Sequence, residues 1–271
     1  MLEPVSDSSG SDARLLLADT LGTSPSWILA HDDEVLPTEA ATLFTHRLRR
    51  CAGGEPLPYV LGWWEFYGRR FFVNPSVLIP RPETELLVER ALQDLRRRDG
   101  PVRVIDIGTG SGCVAVSLAA EMPLSTVVAS DVSRQALAVA LSNGDFHGVT
   151  ARLRLVQASL FGGLAGVWDI VCANLPYIPT DRLRRLAVAH HEPKLALDGG
   201  RHGTELAARL IRSLRPRLAP GGLALVEMDE EQADALTGFA REALSDAAIE
   251  VEEDLAGRPR LLLIRRSADV H

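Results

Sequence analysis

Three things are scarce in this chain of 271 residues, and each scarcity narrows what it can be. There are only 3 cysteines, Cys51, Cys113 and Cys172, and no pair of them has metal-ligand spacing or suggests a disulfide framework. Cys113 and Cys172 sit in apolar runs and read as small buried hydrophobes. No stretch approaches the roughly 18 uninterrupted apolar residues of a membrane span, and the N-terminus is acidic and polar, unlike a secretion signal. A soluble, cytoplasmic protein is the expectation. Excess basic charge is missing too: the net charge is -7 and the pI about 5.5, which argues against a broad grip on a phosphate backbone. Arginines cluster at Arg47, Arg49 and Arg50, at Arg96, Arg97 and Arg98, and at Arg182, Arg184 and Arg185, and these runs read as solvated helix faces.

What is present supports a sizeable core, since 46% of residues are hydrophobic. Residues up to about Ser11 read as frayed, with Asp12 the natural cap of a first helix bearing Leu15, Leu16 and Leu17. Ser24-Pro25 reads as a second start, and Thr38 to Arg50 as a third helix with Ala41, Leu43, Phe44 and Leu48 on its apolar face. Gly53-Gly54-Glu55-Pro56 breaks this helical unit. Six aromatics around Gly68-Arg69-Arg70 then suggest a β-hairpin. A helix is expected from Thr84 into the arginine run. Beyond Gly100 strand and helix alternate. Strands are expected at 102–107, 126–130, 152–157, 169–173 and 223–226, and helices at 112–120, 133–143 and 205–214. This is the signature of an α/β fold with a mostly parallel sheet covered on both faces. Segments 248–253 and 260–264 are expected to form an antiparallel pair at its edge.

Two strand ends carry the chemistry. Val104-Ile105-Asp106-Ile107 runs into Gly108-Thr109-Gly110-Ser111-Gly112, where small residues let backbone approach a ligand and a helix start offers free N–H groups. Asp131 ends the next strand, placed to accept both hydroxyls of a ribose. Dinucleotide sites use the same logic. Two details favour S-adenosylmethionine instead. The turn is GxGxG, without the extra residue of GxGxxG, and Asp106 lies inside the strand, where it either meets the methionine amine or fixes the loop. The second strand end is Asn174-Leu175-Pro176-Tyr177, closing the run Asp169-Ile170-Val171-Cys172-Ala173. Its bland reading is a rigid proline turn. Its chemical reading is a receptor for a planar NH2 group: the Asn174 side-chain oxygen and the Leu175 carbonyl accept its two hydrogens, Pro176 fixes the backbone, and Tyr177 presses on the plane. No His/Cys/Asp cluster suggests a metal, and His190-His191 reads as loop surface.

These motifs together resemble the class I methyltransferases of the HemK/PrmC family, protein-(glutamine-N5) methyltransferases of peptide chain release factors. Gly54 to Gly62 resembles the family's GEP…G segment. Leu78-Ile79-Pro80-Arg81-Pro82-Glu83-Thr84-Glu85 matches its LIPRPETE signature. Asn174 to Tyr177 corresponds to NPPY, and Glu192-Pro193 with Ala196-Leu197 to the following EP…AL element. Glu227 falls where the family often carries a glutamate after the fifth strand. The resemblance implies a Rossmann-like, S-adenosylmethionine-dependent methyltransferase domain (80–271) after a small N-terminal helical domain for substrate recognition (1–62) and a β-hairpin linker (63–79). It implies class I release factors as partners and the glutamine of their GGQ loop as the target, with no stable nucleic-acid or membrane partner. It also places Asp106, Gly108, Thr109, Gly110, Ser111, Gly112, Asp131, Leu160 and Asn174 at the cofactor. Asn174, Leu175, Pro176 and Tyr177 are placed at the glutamine, as substrate-binding and catalytic residues. Arg81 reads equally as a structural anchor or a ligand contact. Three positions depart from the pattern. Leu175 replaces a proline, Ser159 replaces an acid ahead of Leu160-Phe161, and Arg201-His202-Gly203 replaces a DG-type turn, in a loop expected to tolerate change. Two rival readings stay open: adenine N6-methylation of DNA or RNA by base flipping, and a methyltransferase-like binding protein without activity.

Overall fold

Alternating strands and helices lay down a seven-stranded sheet in the order β5-β4-β3-β6-β7-β9-β8. Its strands are β3 (Arg103–Ile107), β4 (Thr126–Asp131), β5 (Leu153–Gln157), β6 (Trp168–Ala173), β7 (Leu218–Glu227), β8 (Ala247–Glu253) and β9 (Pro259–Arg266). The computed structural model describes residues 9–268. β3 to β7 run parallel, and β9 inserts antiparallel between β7 and β8. The tail pair expected at the edge is therefore there, with the last strand inside it.

Side chains alternate across the sheet, as the two-residue strand period requires. Val104, Ile170 and Cys172 join one buried cluster with helices α5 (Glu85–Leu95) and α6 (Cys113–Glu121). Ile105, Ile107, Val171 and Ala173 join the other, with α9 (Glu205–Ser213) and α10 (Ala233–Ala243). Such apolar runs on central strands arise because both faces are covered. Ile105 is 0% exposed, and burying a side chain of its size contributes about 2 to 3 kcal/mol. α7 (Arg134–Phe146) packs beside α6 and β5.

The described chain divides into two compact units between Trp64 and Glu65. The first is helical, with α1 (Ser9–Leu21), α2 (Pro25–Ala30), α3 (Thr38–Ala52) and α4 (Leu57–Leu61). Its core gathers Leu16, Cys51, Val60 and Leu61. The Trp63 indole donates to Asp19 at 2.7 Å, and Asp19 also pairs with Arg47. Ser24 caps α2 through the Trp27 amide, with Pro25 at the first helical position, as read from the sequence. α1 already runs from Ser9, so Asp12 sits in its first turn rather than before it; the earlier part of the segment read as frayed lies outside the described residues. α4 was not expected after the Gly-Gly break. It starts on Pro56 and ends on Gly62 at φ 81°, a left-handed stop.

The hairpin pairs β1 (Trp63–Phe66) with β2 (Arg69–Phe72). Its turn is Tyr67-Gly68, with φ 52° and 64°, so both residues are left-handed as a two-residue turn of matching twist needs. Arg69 and Arg70, expected in the turn, are in the second strand.

Candidate active site

The strand order reverses between β3 and β6, and their register pairs Ile107 with Ala173. Gly108 and Asn174 therefore leave the sheet side by side at the crevice where open α/β sheets take ligands. A cavity of about 440 Å³ opens there, a size suited to a small-molecule cofactor. Asp106, Gly108, Thr109, Gly110 and Ser111 line it, together with Asp131, Leu160, Asn174, Leu175 and Pro176.

The glycines divide their work. Gly108 has φ 76°, and a Cβ there would sit 3.0 Å from Leu175 Cδ2, so the two motifs pack directly on one another. Gly110 has φ 55° with open space where a Cβ would point, which leaves its backbone accessible to a ligand. Gly112, expected at the cofactor, is not on the cavity wall. It lies under α7, where a Cβ would fall 3.0 Å from the Ala140 Cβ, and its role is close packing of α6 on α7. Spacing alone does not tell which glycine faces the ligand.

Asp106 is 2% exposed and accepts from the Thr109 hydroxyl at 2.6 Å. Burial pushes its carboxyl up to about 7, while the bonds from Thr109 and the Ala115 amide pull it down. It thus fixes the loop and also lines the cavity. Asp131 accepts from the Gly110 amide at 3.0 Å and the Ser133 amide at 2.8 Å. Each oxygen keeps one acceptor site, the two a diol requires. Leu160 holds φ 50°, a sparsely populated region for leucine, and lies half-buried on the wall beside exposed Ser159.

Of the four residues closing β6, Asn174, Leu175 and Pro176 reach the wall. Tyr177, expected to press on the substrate, does not line the cavity. Its phenol lies off that wall, where burial and the nearby Glu227 carboxylate push it up to about 12. The Tyr177 carbonyl accepts from Gln232 at 2.8 Å. Gly203, at φ 77°, lies so close that a Cβ would fall on that carbonyl oxygen, and a Cβ on Gly199 would meet the Pro176 oxygen at 2.7 Å. The 199–203 loop is consequently a mould for the Pro176-Tyr177 backbone. The expected tolerance to change applies only to exposed Arg201 and His202.

The Leu78 to Glu85 segment proves to be a junction. Arg81 donates to Glu192, which is 5% exposed, and the other Glu192 oxygen accepts the Ile79 amide at 3.0 Å. Arg81 is thus anchored while also lining the cavity. Thr84, 2% exposed, accepts from the Asn174 amide nitrogen at 2.9 Å. Glu85 accepts the Tyr67 amide of the hairpin at 2.8 Å. Asn143, fully buried on α7, accepts from the Phe72 amide and donates to the Phe72 and Ser111 carbonyls. Sequence reasoning missed Thr84 and Asn143 as site residues. Thr84 stood inside the quoted signature, whereas no local signal marked Asn143.

Among the described residues no group of three or more His, Cys, Asp or Glu is placed to hold a metal ion, and no helix is long and apolar enough to cross a membrane.

Residues 1–62 match the family described as PrmC N-terminal domain, and residues 82–194 match ribosomal protein L11 methyltransferase (PrmA). The release factor glutamine methyltransferase of Nitratidesulfovibrio vulgaris is 40% identical over 96% of this chain and 90% of its own length. The enzyme of that name from Deinococcus radiodurans is 37% identical over 94% and 91%. A ribosomal protein L11 methylase from Lactobacillus delbrueckii superposes with a TM-score of 0.52 at 23% identity, covering 72% of this chain and 84% of its own, which shows a shared fold. With a methyltransferase fold, a glycine cradle beside Asn174 and relatives matched over nearly their whole length, the chain belongs to the release factor glutamine methyltransferase family.

Proposed function

We propose that this protein transfers a methyl group from S-adenosylmethionine to the side-chain amide nitrogen of the glutamine in the GGQ loop of class I release factors. One observation carries the reading: the Asn174 carboxamide and the Leu175-Pro176 backbone stand in the wall of the cavity that the β3 glycine turn also lines. The site residues fit the cofactor. Gly110 leaves its backbone uncovered on the cavity wall, Asp131 keeps two acceptor sites for the ribose hydroxyls, and Asp106 supplies a carboxylate for the amine. S-adenosylmethionine supplies a methyl group already activated by its sulfonium.

An amide nitrogen is a poor nucleophile because its lone pair is shared with the carbonyl. The chain's work is therefore to hold the NH2 with acceptors and keep it in line, which lowers the barrier by orientation. The Asn174 oxygen takes one hydrogen and the Leu175 carbonyl the other. Any residue offers that carbonyl, so leucine in place of proline preserves the acceptor, and its side chain packs on Gly108. These acceptors stabilise the partial positive charge that nitrogen gains, and the proton leaves to water. Tyr177 supports the corner from off the cavity wall. The helical unit 1–62 contributes to recognition of the release factor, and the 63–79 hairpin joins it to the catalytic domain. The place of action is the cytoplasm, where release factors work.

The test is methyl transfer from labelled S-adenosylmethionine to three acceptors: an intact class I release factor, the same factor with its GGQ glutamine substituted, and a pool of DNA and RNA. Label on the intact factor alone is the expected result. Label on nucleic acid alone would overturn it in favour of an adenine methyltransferase.

A further inference from the structure

Behind Asn174, away from the cavity, lies a carboxylate that the reaction as described does not use. Glu227 ends β7, next to the strand that delivers Asn174, and is 3% exposed. Its Oε2 has no hydrogen-bond partner. The Thr84 and Asn174 side chains lie near enough to this carboxylate to draw its titration down. Thr84 meanwhile accepts from Asn174 Nδ2 at 2.9 Å. A threonine hydroxyl accepts and donates at once, so Thr84 can take a hydrogen from Asn174 and offer its own to the unpartnered Glu227 oxygen.

Resting on the function proposed above, we infer that Glu227 is a positioning residue. With Thr84 it takes up the amide hydrogens of Asn174 and so turns the Asn174 carbonyl oxygen toward the glutamine NH2. The reasoning is one of donor and acceptor count. A carboxamide is nearly symmetric in shape, so packing alone scarcely distinguishes its oxygen from its nitrogen. Flipped, Asn174 would point donors at a substrate group that is itself a donor. A buried acceptor pair behind it makes the flipped state cost two hydrogen bonds and leaves the NH2 no outlet except Thr84 and Glu227. Keeping a carboxylate dry is unfavourable, and this arrangement gives the expense a purpose.

The charge state of Glu227 is set by its whole surroundings. Burial pushes it up to about 7; the Thr84 and Asn174 side chains and the charge of Arg260 on β9 pull it down, and Glu83 before α5 pushes it further up. Tyr177 and Cys113 on α6 are raised chiefly by burial, and Glu227 adds to both. The ionised form is the better acceptor, so the turnover number should rise with pH through about 7.

Steady-state kinetics with the intact release factor and saturating S-adenosylmethionine test the inference, alongside direct titration of the cofactor. Glu227→Met removes both acceptor oxygens at similar volume, Glu227→Gln keeps a neutral carbonyl, Thr84→Val breaks the relay and Thr84→Ser restores it. The expected result is a fall in kcat of at least about tenfold for Glu227→Met and Thr84→Val, with cofactor affinity within about twofold and Thr84→Ser close to the wild type. The rise in kcat near pH 7 should vanish in Glu227→Gln. Folded Glu227→Met with unchanged kcat, Thr84→Ser as impaired as Thr84→Val, or an unaltered pH profile in Glu227→Gln would each overturn it. Should Glu227→Met not fold, the two Thr84 variants and Glu227→Gln decide. Wild-type enzyme that leaves the factor unlabelled would instead overturn the proposed function, so the two failures are distinct.

Discussion

Asp106 should make the free protein less stable as pH rises, opposite to the usual behaviour of a carboxylate in an ion pair. Its folded-state value is raised from 3.8 to about 7 by burial at 2% exposure. Between these values the folded protein holds a proton that the unfolded chain has released. Unfolding is then favoured by each rise in pH, by about 1.4 kcal/mol per pH step, until the folded carboxyl also ionises and the effect levels off. Integrated from about pH 4 to 8, Asp106 should cost the fold on the order of 4 kcal/mol. The measurement is urea unfolding of cofactor-free wild type and Asp106→Asn at steps of pH. Trp168 serves as reporter, since the other tryptophans, Trp27, Trp63 and Trp64, lie in the helical unit. The carboxamide introduced by Asp106→Asn can still accept from Thr109, so the difference between the two proteins isolates the ionisation. That difference should grow in favour of Asp106→Asn between about pH 4.5 and 6.5 and be flat above about 7.5. A difference independent of pH, or one growing toward acid, would refute the reasoning.

Cofactor binding should draw on the same group. A positively charged amine favours ionised Asp106, so affinity for S-adenosylmethionine should improve as pH rises through about 7 with proton release, read by calorimetry in buffers of different ionisation enthalpy, and Asp106→Asn should flatten it. Gly203→Ala should destabilise by on the order of 3 kcal/mol or prevent folding, because φ 77° and the Tyr177 carbonyl both exclude a Cβ, whereas Arg201→Ala should be near neutral in thermal unfolding. Asn143→Ala should cost about 2 to 4 kcal/mol, by stranding the Phe72 amide and the Phe72 and Ser111 carbonyls, and should weaken cofactor binding by titration.

Where the physics is local, the sequence could be read directly. Ser24-Pro25 capped its helix as expected, and the period change after Gly100 located every parallel strand to within a few residues, although β7 starts earlier, at Leu218. α10 was legible but missed, since Leu236 and Ala240 form its buried side and a capping box joins Asp229 to Gln232 just before it. Other features were not written locally. Gly108 and Gly112 look alike in a pattern, and only the approach of Leu175 to one and Ala140 to the other separates their roles. The close approach of Gly199 and Gly203 to the Pro176-Tyr177 backbone joins segments far apart in the chain. Thr84 and Glu192 belonged to recognisable motifs, yet what they hold, Asn174 and Arg81, lies 90 and 111 residues away in the chain.

The insertion of β9 between β7 and β8 has a consequence for how the protein is made. β8 leaves the ribosome before the strand that must separate it from β7, so during synthesis β7 has an unsatisfied margin and β8 has no neighbour. β9 then pairs with both at once, from Leu223↔Arg265 to Glu227↔Leu261 on one side and from Ala247↔Arg266 to Glu253↔Pro259 on the other. The end of β7 that this pairing secures is Glu227 itself. The sheet is thus closed from within by a strand made after both of its neighbours, and the corner holding Asn174 gains its full backing only once that strand is in place.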